Sequence, residues 1–155
     1  MMGSLNEEKS RFISRQFISF GLGESVYGLD ILMTESIERI SKITRVPKAS
    51  EHVLGVINAR GDIIPVISLR SRIGIGEEQY SEDSRIIITS YDGFRVGLLV
   101  DRVINVFTAS DIDIQSGGEV FKSGINEHVL GIVNQESAHV LILDLARVLD
   151  LGGLS

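Results

Sequence analysis

A chain of 155 residues suits one domain, or two very small modules sharing a boundary, and is long enough to bury a proper core. Hydrophobic (43%) and charged (23%) contents are those of an ordinary globular protein, and the absence of cysteine excludes a disulfide framework, a thiol nucleophile and a Cys-based metal site. A net charge of −6 argues against a surface that tracks nucleic-acid phosphates, and no apolar stretch approaches the ~18 residues of a membrane span.

Thirty-five Ile and Val against five Ala point to an all-β class. Residues 1–13 are polar and charged with no signal-peptide core, so they read as a flexible arm on a cytoplasmic protein. Gln16–Phe20 and Ser25–Leu32 read as strands around a Gly21–Glu24 turn. In Met33–Val46, Ile37, Ile40 and Ile43 recur every third residue, which a helix would allow, but Ile and Thr content ahead of Pro47 favours a bent strand. After the Pro47–Glu51 connector come two apolar runs, Val53–Ile57 and Ile63–Leu69. They read as a hairpin of strands buried on both faces, its tip presenting Arg60 beside Gly61. Pro65 cannot donate a ladder hydrogen bond, so its strand is expected at an edge or with its N–H side facing out. Leu69–Ile75 is a short helical turn stopped by Gly74 and Gly76, and the acidic loop Glu77–Asp83 follows. Ser84–Ser90 and Phe94–Val106 read as strands around a Tyr91-Asp92-Gly93 turn. Thr108–Asn126 is polar and glycine-containing, a long exposed loop, before a second hairpin and a closing short helix at Asp144–Leu151.

The hairpin occurs twice. Glu51-His-Val-Leu-Gly-Val-Ile-Asn58 returns 76 residues later as Glu127-His-Val-Leu-Gly-Ile-Val-Asn134, with six of eight positions identical and two Val/Ile exchanges. Upstream, Tyr27-Gly-Leu-Asp-Ile corresponds to Val96-Gly-Leu-Leu-Val. The chain is therefore two copies of one β-module, about 15–75 and 85–151, in which Gly55 should match Gly131 and Asn58 should match Asn134. Repeat and barrel boundaries need not coincide, so terminal strands can be exchanged between the barrels. The tips differ: Arg60-Gly61 in one copy, Glu136-Ser137 in the other. The turn forms without arginine, which makes Arg60 a candidate for function rather than folding.

No catalytic constellation stands out. His52, His128 and His139 form no HxxxH or HExxH pair, and two of them sit at equivalent strand entrances, so they read as structural. Gly21-Leu-Gly-Glu-Ser lacks the third glycine and the helix of a dinucleotide fingerprint. There is no P-loop lysine and no Gly-x-Ser-x-Gly elbow, while Asp111 and Asp113 look like one solvated strand face. Arg60, Arg70 and Arg72 form a local basic group amid acidic residues. The expectation is a non-catalytic protein without cofactor or metal, nucleic-acid partner or membrane insertion.

Read in order, Tyr27-Gly-Leu-Asp-Ile-Leu32, Thr44-Arg-Val-Pro47, Gly55-Val-Ile-Asn-Ala-Arg60-Gly-Asp-Ile-Ile-Pro65-Val-Ile-Ser-Leu-Arg70 and Val96-Gly-Leu-Leu-Val-Asp-Arg-Val103 resemble the CheW family of bacterial chemotaxis coupling proteins. The likeness extends over roughly residues 15–151. It implies two SH3-like five-stranded β-barrels packed side by side, with short helical turns and no catalytic activity. It implies a domain over 14–152 that binds the cytoplasmic tip of a chemoreceptor and the regulatory domain of the histidine kinase CheA, within receptor arrays at the inner membrane. By the same resemblance, Thr34, Glu35, Ser36, Gly55, Arg60 and Val100 would face the receptor, and Ile43, Thr44, Arg45, Val46 and Phe121 the kinase. The family's usual Val-x-Glu-Ile is Thr34-Glu35-Ser36-Ile37 here, so either Glu35, through a β-bulge, or Ser36 takes the acidic position. Ala59 and Ser68 depart from the family's usual Leu and Asp, and the loop after Ile112 lacks the family's prolines.

Other readings are the same scaffold in a twitching or other non-flagellar pathway, and a small-molecule-binding barrel pair, against which the scarcity of aromatics speaks. A regulatory domain severed from a histidine kinase is a further one; no phosphorylation-site His region or ATP-binding segment is present.

Overall fold

The computed structural model describes residues 14–114, 127–136 and 138–150. The arm at 1–13, most of the 108–126 loop with Phe121, Ser137 and the chain beyond 150 lie outside the described residues. Among the described residues ten strands run in chain order: β1 (Ser14–Leu22), β2 (Ser25–Asp30), β3 (Thr34–Arg39), β4 (Val53–Ala59), β5 (Asp62–Ser68), β6 (Arg85–Tyr91), β7 (Phe94–Val100), β8 (Arg102–Ser110), β9 (Val129–Gln135) and β10 (Ala138–Leu143). Two short helices, α1 (Leu69–Ile73) and α2 (Leu145–Val148), follow β5 and β10. Each starts at a side-chain cap on an equivalent residue, Ser68 accepting from the Ser71 amide and Asp144 from the Arg147 amide.

The strands form two five-stranded sheets in the orders β8-β1-β2-β10-β9 and β3-β6-β7-β5-β4. Substituting each strand by its repeat partner turns one order into the other. The exchange is thus reciprocal: the first hairpin of each repeat sits in the sheet that holds the other repeat's second hairpin. The parallel contact that joins them is the same in both sheets, Val66 facing Gly97 and Ile142 facing Gly28. Those glycines leave room for their neighbours, since a Cβ on Gly28 would lie 2.9 Å from Ile142 Cδ1 and one on Gly97 would lie 2.7 Å from Ile86 Cγ2. Gly55 pairs with Val66 and Gly131 with Ile142, and Asn58 with Ile63 and Asn134 with His139, so the matching residues of the repeat hold matching places in the ladders.

Three apolar clusters follow from this arrangement. One barrel encloses Phe17, Phe107, Ala109, Val133, Val140 and Ile142; the other encloses Ile57, Ile64, Val66, Ile86, Ile88 and Leu99. The largest cluster draws on both sheets and both helices, including Phe20, Tyr27, Leu29, Ile67, Leu69, Ile87, Leu98, Val129 and Leu145. The barrels therefore share their main core and are not independent.

Several sequence expectations change in detail. Phe94–Val106 is two strands, because Asp101 breaks it to donate its N–H to the Gly21 carbonyl of the other sheet (3.1 Å). Met33–Val46 is a 3-10 turn at Ile31–Met33, then β3, then an irregular connector joined to the β4 backbone by a bridge at Thr44. β5 is buried from Ile64 onward, but β4 is an edge strand with Asn58 exposed, so it is not covered on both faces. Pro65 is in an interior strand; the parallel ladder with β7 begins only at Val66, so the proline sits where that flank is unpaired.

Arg70 and Arg72 are structural rather than part of a free basic patch. Arg72 donates to the carbonyls of Arg147, Val148 and Asp150 at 2.7–2.9 Å, satisfying the C-terminal end of α2. Arg70 grips Asp101 in the seam between the barrels.

Candidate interaction surface

The β4–β5 turn is built by Asn58, whose side-chain oxygen accepts the Gly61 N–H at 3.0 Å. Arg60 occupies a left-handed conformation (φ 55°), and Glu136 takes the same conformation (φ 46°) at the equivalent tip. Its side chain is 84% exposed, and the nearest carboxylate, Glu38, stands 4.0 Å away. Between the tip and the end of β3 lies a cleft of about 470 Å³ lined by Ile37, Glu38, Ile40, Ile57, Ala59 and Arg60. It occupies the gap between β3 and β4, the two edges of this sheet.

A β-bulge falls at Glu35: Thr34 pairs with Thr89 and Ser36 with Ile88, leaving Glu35 without an opposite residue. Glu35 is exposed and Ser36 half-buried, so at the bulge the strand displays the Glu35 carboxylate. Its carboxylate accepts Arg95 Nε–H at 2.7 Å, and Arg95 Nη1 donates to Asp62 at 2.8 Å. Asp62 lies two residues from Arg60, so one guanidinium ties the β3 bulge to the hairpin tip. Both hydrogen bonds raise the Arg95 pKa, Glu35 contributing most.

Two other residues that the resemblance places at the receptor surface are buried. Val100 is fully inside the shared core and offers no side-chain surface. Gly55 lies under the connector, where a Cβ would meet the Thr44 carbonyl oxygen at 2.2 Å; its φ of 150° is also rare for a side-chain-bearing residue. It shapes the wall rather than displaying a group. Thr34 is half-buried, and its hydroxyl has no partner among the described residues.

Of the residues assigned to the kinase, Ile43, Thr44, Arg45 and Val46 lie together in the connector, and Phe121 lies outside the described residues. Ile43 packs on the barrel core, and Thr44 exchanges two backbone hydrogen bonds with Val56, both 2.8 Å. That bridge projects Arg45 and Val46 outward with Pro47 and Lys48, over a cleft of about 420 Å³ that reaches Val53 and Leu54. The cleft reaches Val53 at the start of β4, whereas the Arg60 tip follows Ala59 at its end, so the far wall of the cleft and the tip are separated by the length of the strand, roughly 20 Å at ~3.3 Å per residue.

Reading the sequence missed Arg95, Glu38 and the Arg70–Asp101 pair. A usable signal for Arg95 was present: the repeat places Val26 opposite it, the same kind of charge difference that marked Arg60 against Glu136. An open apolar cleft of about 500 Å³ lies between Pro65, Tyr91, Phe94, Val96 and the Ala146–Asp150 segment. Among the described residues no three His, Asp or Glu side chains are grouped to hold a metal ion, and no helix is long and apolar enough to cross a membrane.

Residues 16–152 match the family described as CheW-like domain. The chemotaxis protein CheW of Bacillus subtilis (strain 168) is 35% identical over 135 residues, covering 87% of this chain and 86% of that protein. The chemotaxis protein CheW of Helicobacter pylori is 31% identical over 147 residues, 95% and 87% of the two chains. The crystal structure of the scaffolding protein TtCheW from Thermoanaerobacter tengcongensis superposes with a TM-score of 0.82 at 35% identity, covering 91% of this chain and 96% of that one.

Proposed function

The chain belongs to the CheW-like domain family, and from that premise we propose how its two surfaces divide the work of a chemotaxis coupling adaptor. The adaptor joins chemoreceptors to the kinase CheA. Such a protein needs no chemistry of its own: it has to hold two partners at once in a fixed relation. Two exposed surfaces at opposite ends of β4, on barrels locked by a common core, meet that requirement.

The Arg60 tip, the Glu35 bulge and the cleft between the tip and the end of β3 take the cytoplasmic tip of the receptor. The observation that carries this assignment is that the same turn is built at Glu136 without an arginine, so Arg60 is free of a folding task. A receptor tip is an amphipathic helical hairpin, and a cleft lined by Ile37, Ile40 and Ile57 with charged groups on its rim suits helix-in-groove docking. The guanidinium fork of Arg60 matches carboxylates or helix C-terminal carbonyls on that partner. Arg45, Val46 and the connector around them take the regulatory domain of CheA, a barrel of the same kind. Because both partners work on the cytoplasmic side, the adaptor acts there, in receptor arrays at the inner membrane.

The test is a reconstitution of this protein with CheA and a receptor cytoplasmic fragment. Arg60→Ala should weaken receptor binding by about 1–3 kcal/mol, the usual scale for a charged hydrogen-bonding group, while CheA binding and melting temperature stay as they were. Unchanged receptor binding, or an unfolded variant, would show that Arg60 has been given the wrong role.

A further inference from the structure

We infer that Arg95 is a positioning residue for partner recognition, holding the Arg60 tip and the Glu35 bulge in one fixed relation; this rests on the Arg60 face being the receptor surface. Arg95 is the second residue of β7, in the second repeat, whereas Glu35, Arg60 and Asp62 belong to the first. Only the exchange of strands puts them in the same sheet. In the order β3-β6-β7-β5-β4, the Arg95 side chain reaches across β6 to Glu35 on one side and to Asp62 on β5 on the other. A planar guanidinium can serve two carboxylates at a set angle, which a lysine ammonium cannot do with the same geometry.

The second barrel supplies an internal control. Its β1–β8 ladder carries the same bulge, with Ser19 opposite Asn105 and Phe20 opposite Val103, so Ile104 is the unpaired residue there. Ile104 thus corresponds to Glu35, Val26 to Arg95 and Ala138 to Asp62. The same sheet, bulge and hairpin are therefore built with Ile, Val and Ala where this barrel has three charges. The fold does not require the ionic triad. Nor does stability account for it, because all three side chains are at least one-third exposed, where ion pairs contribute little. What the triad does is constrain geometry: an edge strand with a bulge and a turn with a strained tip residue are tied together at their ends.

The experiment measures binding of a soluble receptor cytoplasmic fragment to the full chain by calorimetry, for wild type, Arg60→Ala, Arg95→Val and the double variant. Arg95→Val installs the residue found at the equivalent place, and its urea midpoint should match wild type. It should weaken binding about 3- to 10-fold, within the range of interface side chains that matter but are not dominant. In the Arg60→Ala background it should cause no further loss, because Arg95 acts through the placement of Arg60. Independent, multiplying effects would overturn the inference by showing that Arg95 touches the partner itself. Normal binding of Arg95→Val beside weakened binding of Arg60→Ala would overturn it while sparing the receptor surface. Normal binding of Arg60→Ala would remove both. Should Arg95→Val fail to fold, the variant Glu35→Ile/Asp62→Ala/Arg95→Val, which leaves no unpaired carboxylate, is compared in its place; if that also fails, the triad is a folding element and the inference falls.

Discussion

Removing the Asp101 carboxylate should loosen the seam between the barrels, and the structure allows the size of the effect to be worked out. Asp101 lies at the β7–β8 break and accepts Arg70 Nε–H at 2.8 Å together with a second guanidinium N–H. It also accepts the Gly23 N–H of the β1–β2 turn at 2.7 Å, so one carboxylate ties that turn to α1. The side chains of Arg70 and Asp101 are 12% and 19% exposed. Asp101→Ala leaves a largely buried guanidinium without its anion and a backbone donor without its acceptor. Breaking a fully buried pair costs about 3–5 kcal/mol; the water that reaches this pair brings the expectation to roughly 2–4 kcal/mol. At ~2–4 °C per kcal/mol for a domain of this size, the melting temperature should fall by roughly 4–16 °C. Urea unfolding of Asp101→Ala, Arg70→Ala and the double variant supplies the cycle, with a coupling of ~1 kcal/mol or more expected. The Asp101 pKa is lowered, first by the hydrogen bond from Arg70, against an opposing effect of burial, with help from the Gly23 N–H. A carboxylate with a depressed folded pKa adds stability that is complete above its unfolded value, near 4, and is lost as pH falls through the folded one. The gap between wild type and Asp101→Ala should therefore be constant from pH 6 to 8 and close below about pH 4. Additive single variants, or a gap that widens in acid, would refute the reasoning.

Gly55→Ala should destabilise by about 3 kcal/mol or more, because its Cβ would meet a backbone oxygen that no rotamer change can move; a urea midpoint equal to wild type would contradict this. Arg45→Glu should weaken CheA binding while leaving receptor binding and the thermal midpoint as they were, and calorimetry with the isolated partners would expose the opposite outcome. His128 is buried, its pKa lowered by burial and then by Arg72, so the folded state resists its protonation. Its stabilising effect is whole above the unfolded value near 6.5 and declines as pH falls toward the folded one, so His128→Leu should flatten the pH dependence of stability between about pH 7 and 5. An unchanged slope would mean that another group titrates there.

The repeat of Glu51–Asn58 as Glu127–Asn134 announced a duplicated β-hairpin, and the Asn-x-Arg-Gly tip with the Val-Gly-Leu segments pointed to the family. Those readings are local: they depend on turn residues, on short runs of Ile and Val, and on the difference between Arg60 and Glu136, all within a few residues of chain. Whether Glu35, through a β-bulge, or Ser36 takes the acidic position was open in the sequence, since neighbouring strand residues face opposite sides unless a bulge intervenes; the pairing with β6 puts the bulge at Glu35. Val100 reads like any strand residue; only the stacking of the two sheets seals it in the shared core. The internal repeat establishes that two equivalent modules exist and which segments correspond. Which sheet each hairpin joins was decided only in the tertiary structure, because exchanged and unexchanged pairings present identical local patterns. They differ in contacts between residues 30 to 80 positions apart, such as Arg95 with Glu35 and Asp62 or Asp101 with Gly23.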